Sequence, residues 1–85
     1  MAKRITEHVL YVSFPLDRST MQEETRKVEK VVGKGMGGAG SGFGQRDVEF
    51  YYGNRRQERD AAAERAKAAG YAVHTVRLLI TIDHY

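Results

Sequence analysis

The sequence predicts an α+β domain in which helices cover one face of a single β-sheet. Three segments alternate in the manner of strands, and two segments between them carry helical spacing. A glycine-rich stretch separates the first helix from the second strand. A chain of 85 residues cannot divide its apolar side chains between two cores, so we expect one domain over 1–85.

The first strand is predicted from about His8 to Phe14. Leu10, Val12 and Phe14 recur at every second position, as the side chains on one face of a strand do. Pro15 ends the strand, because proline cannot donate a hydrogen bond to the neighbouring strand.

The first helix has a capping-box start, since Thr20 precedes Glu23 by three positions, and Ser19 is the alternative cap. Its apolar face is formed by Met21, Thr25, Val28 and Val32. Gly33 is a natural helix end. Residues 33–44 hold seven of the nine glycines, and they are predicted to resist regular structure because glycine has high backbone entropy.

The second strand is predicted over Asp47–Tyr52, followed by a turn in which Asn54 can cap the second helix. That helix runs to about Ala69 and ends at Gly70. Its small-residue face is expected to consist of Ala62, Ala66 and Ala69. The last strand is predicted from about Ala72 to Asp83.

A helix joins the second and third predicted strands, so these strands should be parallel, with the first strand between them and antiparallel to both. The glycine-rich stretch then takes the place of an edge strand in the ferredoxin-like βαββαβ fold. We therefore expect a ferredoxin-like sheet of about three strands with both helices on one face. Its missing strand would be a glycine-rich loop or a short irregular edge over 33–44.

Two segments resemble the sequence signatures of the RNA recognition motif: LYVSFPL at 10–16, and SGFG at 41–44 followed by VEF at 48–50. The helix ending AAGY at 68–71 falls about where the second helix of that family would lie. The resemblance covers most of the chain and implies RNA bound on the open sheet face. It places Tyr11 at a base-stacking position, and it places Gln45 and Asp47 where the family carries further aromatics.

The sheet face without helices is the main candidate surface. We expect it to carry Val9, Tyr11, Glu49, Tyr51, Arg77 and Leu79. Tyrosine and arginine among apolar neighbours are typical of protein interfaces. An ordinary solvated sheet face is the alternative interpretation.

The densest basic cluster is Arg55, Arg56 and Arg59, at the start of the second helix. Cations at a helix N-terminus oppose the helix dipole, which could reflect an acidic partner or a nucleic-acid backbone. Glu58 and Asp60 could instead neutralise the cluster. The formal net charge of the chain is only +3.

No catalytic, cofactor or metal site is predicted. The chain has no cysteine, its three histidines (His8, His74 and His84) are scattered, and no nucleophile–base pair is evident. The G-x-G-x-x-G matches at Gly33 and Gly35 follow a helix, whereas a dinucleotide site needs them after a strand. The longest aliphatic run, 78–80, is far below the ~20 residues of a membrane span, and we expect a cytoplasmic protein.

The leading hypothesis is a non-catalytic module that acts through protein–protein contact, as an adaptor, an inhibitor or a homo-oligomer. The open face or the arginine-bearing second helix would form the contact. The alternative is binding of single-stranded nucleic acid on the open face. Tyr11 and Tyr51 would then stack on bases, and Arg55, Arg56 and Arg77 would contact phosphates.

Overall fold

The computed structural model describes residues 3–82. In chain order the elements are β1 (Lys3–Pro15), α1 (Met21–Val32), β2 (Gly38–Gly42), β3 (Gln45–Tyr51), α2 (Arg56–Ala68) and β4 (Ala72–Ile82). The strands form one sheet in the order β2-β3-β1-β4, and each neighbouring pair is antiparallel. The predicted α+β class is confirmed, as is the position of β1 between two strands that both run antiparallel to it.

The core lies between one face of the sheet and the two helices. Leu10, Val12 and Phe14 of β1 occupy it together with Val48 and Phe50 of β3. The helices contribute Val28, Val32, Ala62, Ala63 and Ala66. Even-numbered side chains of β1 therefore face the helices, and odd-numbered ones face the open side, because successive side chains of a strand alternate.

The predicted three-stranded sheet is wrong by one strand, because Gly38–Gly42 forms β2 and pairs with β3. Glycine weakens a strand but keeps its backbone donor and acceptor, so a short edge strand can still form. Phe43 and Gly44 make the two-residue turn into β3, with φ angles of 53° and 76°. Positive φ at both central positions matches the twist of a hairpin.

The N-cap of α1 is at the predicted residue but lacks the predicted capping bond, whereas the N-cap of α2 differs from the prediction. Thr20 is the N-cap of α1 but makes no side-chain capping bond, and Ser19 instead bonds to Asp17. The second helix begins at Arg56, after Arg55 rather than Asn54. Both predicted glycine ends are confirmed: Gly33 and Gly70 follow their helices with φ of 81° and 93°.

The predicted small-residue face of α2 is also partly wrong. Ala63 is buried there, together with the expected Ala62 and Ala66, whereas Ala69 lies beyond the helix and is exposed. The close packing of α2 on the sheet therefore depends on three alanines inside the helix.

The central strand β1 and the edge strand β4 extend well beyond the core. The pairing of β3 with β1 reaches Val9, whereas β4 follows β1 back to Lys3. Lys3–Glu7 and Leu78–Ile82 consequently form a two-stranded extension, which we call the ribbon. The molecule measures 48 × 24 × 19 Å along its principal axes. The predicted strand end at Asp83 and the histidine His84 lie outside the described residues.

The two faces of β4 are the reverse of those predicted. Arg77 is the partner of His8 and Leu79 that of Thr6, so both point to the helix side of the sheet. Val76, Leu78, Ile80 and Ile82 have odd-numbered partners on β1 and point to the open side. Apolar residues stand at both alternating positions of this segment, so its pattern could not decide between the faces.

Candidate partner-binding surface

The ribbon exposes four large apolar side chains. Ile5, Leu78 and Ile80 lie on its open side and keep 39%, 41% and 45% of their surface exposed. Leu79 lies on the opposite side and is 61% exposed. Three consecutive apolar residues of β4 are thus in contact with solvent, on two faces of the same strand.

The outer edge of β4 carries unpaired backbone groups. The backbone of His8 bonds to Gly53 and Tyr52, on the β3 side of β1. Because such bonding alternates along a strand, the odd-numbered residues of β1 bond to β4, through partners such as Leu78 and Ile80. The backbone groups of Arg77, Leu79 and Thr81 therefore point away from β1, along an edge that no further strand of residues 3–82 occupies.

On the open face beside β3, Tyr51 and Glu49 form a linked pair. The Tyr51 hydroxyl donates a hydrogen bond of 2.5 Å to Glu49 Oε2. This bond is the largest cause of a raised pKa at the Tyr51 hydroxyl, and desolvation adds to it. Gly37 has no side chain in the space that the Tyr51 ring occupies, so this glycine leaves room for the tyrosine.

Tyr11 lies on the same open face, where its ring centroid is 6.2 Å from that of His74 on β4. Glu49 is its partner on β3. Asp47 accepts a hydrogen bond of 2.5 Å from Ser13. The open face beside the tyrosines therefore carries carboxylates, whose charge opposes the approach of a phosphate.

The arginines of α2 pair with neighbouring acids. Arg55 lies 3.1 Å from Glu58, and Arg56 lies 3.6 Å from Asp60. Both pairs are solvent-exposed, and such pairs contribute little to stability. These acids therefore neutralise the charges of Arg55 and Arg56, which was the alternative interpretation of this basic cluster.

Arg59 differs from these surface arginines because its side chain is buried. It contacts Asp60 at 2.8 Å, His8 Nδ1 at 3.4 Å and the carbonyl oxygen of Val76 at 3.1 Å. These contacts join α2 to both β1 and β4, so the residue has a structural task.

A basic cavity of about 260 Å³ opens on the helix side of the sheet. Its lining comprises His8, Arg56, Arg59, Thr75 and Arg77. Arg77 thus joins two of the α2 arginines, on the side of the sheet opposite Tyr11 and Tyr51.

The eight sequence-predicted partner-binding residues separate into three groups. Tyr11, Glu49 and Tyr51 lie together on the open face, as expected. The arginines (Arg55, Arg56, Arg59 and Arg77) lie on the helix side, which corrects the placement of Arg77 on the open face. Leu79 lies on the ribbon, also on the helix side.

Sequence reasoning missed Ile5, Leu78 and Ile80 as surface residues and assigned Phe43 no surface role of its own. Phe43 is fully exposed at the tip of the β2–β3 turn. The apolar run 78–80 could have revealed the exposed residues of β4, because three consecutive apolar residues do not fit a strand with one solvated face. The exposure of Phe43 could have been inferred from its position between two glycines, Gly42 and Gly44, which are typical of a turn.

No group of three or more metal-ligating side chains occurs in the described range 3–82. Within the same range, neither helix has the length and apolar character needed to cross a membrane. No protein-family model matches the chain. A search of curated proteins finds no significant match to it either.

Proposed function

We propose that this domain is a non-catalytic binding module that acts through contact with another protein. The observation that carries the proposal is the exposed run of Leu78, Leu79 and Ile80 on the ribbon. Consecutive exposed apolar residues reduce solubility, and in folded proteins they mark surfaces that meet a partner. An adaptor, an inhibitor or a subunit of an oligomer would each use such a surface.

The proposed contact has an apolar centre and a polar surround. Ile5, Leu78 and Ile80 supply the centre, and Tyr11, Glu49 and Tyr51 continue the open face toward β3. Interfaces typically combine a desolvated apolar centre with a polar rim, and tyrosine is enriched in them. The hydrogen bond between Tyr51 and Glu49 holds part of this rim in place before binding.

We also propose that the domain has the ferredoxin-like fold. The element order β-α-β-β-α-β supports this proposal, as does the central position of β1 and β3 in the sheet. In that fold one sheet face is free of helices, which leaves the open side available for a partner.

Single-stranded nucleic-acid binding is the second candidate, and the resemblance to the RNA recognition motif belongs to it. The basic cavity around Arg56 and Arg77 favours it, because arginines in one cavity can contact a phosphate backbone. The tyrosines available for stacking lie on the opposite face, beside Glu49 and Asp47. A bound strand would therefore have to obtain its phosphate contacts and its stacking from different sides of the sheet.

A pair of lysine substitutions tests the leading proposal. Leu78 and Met36 are equally exposed, at 41%, but Met36 lies in the loop before β2, away from the ribbon. Lysine at 78 would face Glu7 across the ribbon, so Leu78→Lys should fold. Wild type and both variants are each immobilised and incubated with an extract of the cells from which the protein comes. The proteins that the wild type captures should be lost with Leu78→Lys and retained with Met36→Lys. Their capture should depend little on the salt concentration.

Equal capture by the two variants would contradict the proposal. The second candidate is measured in parallel by anisotropy of labelled single-stranded RNA at several salt concentrations. If the domain binds nucleic acid, Arg77→Ala should weaken binding and reduce the salt slope by roughly one. Absence of RNA binding at low salt would remove the second candidate.

A further inference from the structure

We infer that the partner of the ribbon is a second copy of this chain, joined antiparallel to it along the free edge of β4. Two four-stranded sheets would then form one continuous sheet across a two-fold axis. This inference rests on the proposed function and specifies the partner.

Exposure on both sides of β4 favours pairing at its edge over docking onto its open face. A partner on the open face would cover Leu78 and Ile80 and leave Leu79 in solvent. Leu79 is the most exposed of the three, at 61%. A strand added at the edge of a sheet places side chains on both faces, so it can cover all three residues.

The backbone provides the second part of the argument. Arg77, Leu79 and Thr81 direct their amide and carbonyl groups outward, and such an edge is a template for another strand. When Leu79 lies opposite Leu79 of the copy, Arg77 lies opposite Thr81 of the copy, and by symmetry Thr81 lies opposite Arg77 of the copy. These three hydrogen-bonded pairs would exchange about six hydrogen bonds, two for each pair.

In the same alignment, the side chains that meet on the open face of the interface between the two β4 strands are apolar. Leu78 lies opposite Ile80 of the copy, and Val76 lies opposite Ile82. Ile5, the neighbour of Ile80 on β1, extends this apolar strip inward on each side. Leu79 meets its own copy on the other face of the interface, so each of the three exposed apolar side chains of β4 gains an apolar neighbour.

Two other alignments are less complementary. Centring the pairing on Arg77 would place two guanidinium groups opposite each other, and like charges directly opposed are destabilising. Centring it on Leu78 would place His74 opposite Ile82. The opposite edge of the sheet is the five-residue, glycine-rich β2, which offers no comparable apolar strand for pairing. The assembly would therefore close as a dimer and not continue as a fibre.

The oligomeric state in solution is the first test. Light scattering after size-exclusion chromatography should show a wild-type dimer across low- to high-micromolar concentrations. Leu79→Lys places two ammonium groups at the axis and should give a folded monomer, with its fold checked by circular dichroism. Met36→Lys adds the same charge away from β4 and should remain a dimer.

A cysteine substitution tests the alignment itself, because the wild-type chain has no cysteine. In a hydrogen-bonded antiparallel pair the Cα atoms lie about 5.5 Å apart, within the range of about 4.4–6.8 Å that a disulfide needs. Leu79→Cys should therefore form a covalent dimer rapidly under mild oxidation. The two copies of Leu78 are diagonal neighbours, about 7–8 Å apart, so Leu78→Cys should cross-link more slowly.

A wild-type monomer at every concentration would overturn the inference, as would a dimer that Leu79→Lys leaves intact. Equal cross-linking of Leu79→Cys and Leu78→Cys would overturn the alignment centred on Leu79. If the protein is monomeric but Leu78→Lys still abolishes capture of other proteins, the proposed function stands and the second copy is the wrong partner. If it is monomeric and capture is unchanged, both proposals fail.

Discussion

The ring of Tyr51 occupies the space where a side chain on Gly37 would stand. A Cβ atom on Gly37 would overlap the ring, and one on Gly38 would lie 2.7 Å from Glu49 Oε2. Two glycines before and at the start of β2 thus admit the tyrosine and the carboxylate that it bonds. Gly40 differs from both, because a Cβ atom there would meet nothing within 4 Å.

This difference predicts a contrast between two alanine substitutions. Gly37→Ala should lower the free energy of unfolding by about 1–3 kcal/mol, because the added methyl group overpacks against Tyr51. Gly40→Ala should be neutral or slightly stabilising, since it only reduces the entropy of the unfolded chain. Denaturant unfolding of both variants would check this, and equal losses would mean that Gly37 has no special packing role.

Phe43 should be replaceable with a gain in stability. It is fully exposed and has a φ of 53°, a region that bulky residues rarely adopt. Asparagine tolerates this conformation, and Asn-Gly is the preferred sequence for such a two-residue turn. Phe43→Asn should raise the free energy of unfolding by about 1 kcal/mol, which corresponds to a melting temperature higher by about 4–8 °C.

Gly44→Ala is the matched control for that turn. Gly44 also has a positive φ, of 76°, so its replacement should lower the melting temperature. If Phe43→Asn also lowered the melting temperature, the phenylalanine would have a stabilising contact that its full exposure does not reveal.

Two arginines of α2 should respond differently to truncation. Arg59→Ala removes a buried side chain that contacts His8, Asp60 and the Val76 carbonyl, and should lower the free energy of unfolding by about 1–3 kcal/mol. Arg56→Ala removes one exposed ion pair and should change the free energy of unfolding by less than about 0.5 kcal/mol. Denaturant unfolding separates the two cases, and a neutral Arg59→Ala would refute its structural task.

Tyr71 should make stability depend on pH in the alkaline range. Desolvation, together with the smaller effect of its hydrogen bond to Glu24, raises the pKa of the Tyr71 hydroxyl from 10.0 to about 12. The folded state therefore favours the protonated phenol. The stabilisation is complete below pH 10 and disappears as the pH rises from about 10 to about 12.

Tyr71→Phe isolates this contribution. The wild type should be more stable than the variant near neutral pH, and the difference should shrink between pH 10 and about 12. Unfolding curves of both proteins at a series of pH values would measure it. A difference that stays constant over this interval would mean that Tyr71 titrates normally.

Local sequence signals were sufficient where one side chain or one glycine decides the structure. The first helix begins at Met21 and ends before Gly33 as predicted, because its apolar spacing and its terminal glycine agree. The order of strands around β1 also followed from short connections and right-handed crossovers. These features depend on rules that act within a few residues or on connectivity alone.

The orientation of β4 could not be obtained in that way. Leu78 and Leu79 are both apolar, so either face could have been the buried one. Val73 packs against the core opposite Val12. Because side chains alternate along a strand, this contact determines the face to which every later side chain of β4 points. A one-residue shift reverses both faces, and a long-range contact determines which alternative is adopted.

The central position of β1 has a consequence for folding. β1 is synthesised before the other three strands of residues 3–82, yet it pairs with β4: Val9 lies opposite Val76, a separation of 67 residues. Contacts between distant residues close slowly because a large loop must first lose its entropy. Until β4 has left the ribosome, the nascent chain therefore carries an apolar strand with one side unsatisfied. A chain that terminates early, before Ala72, would keep that side permanently open to aggregation.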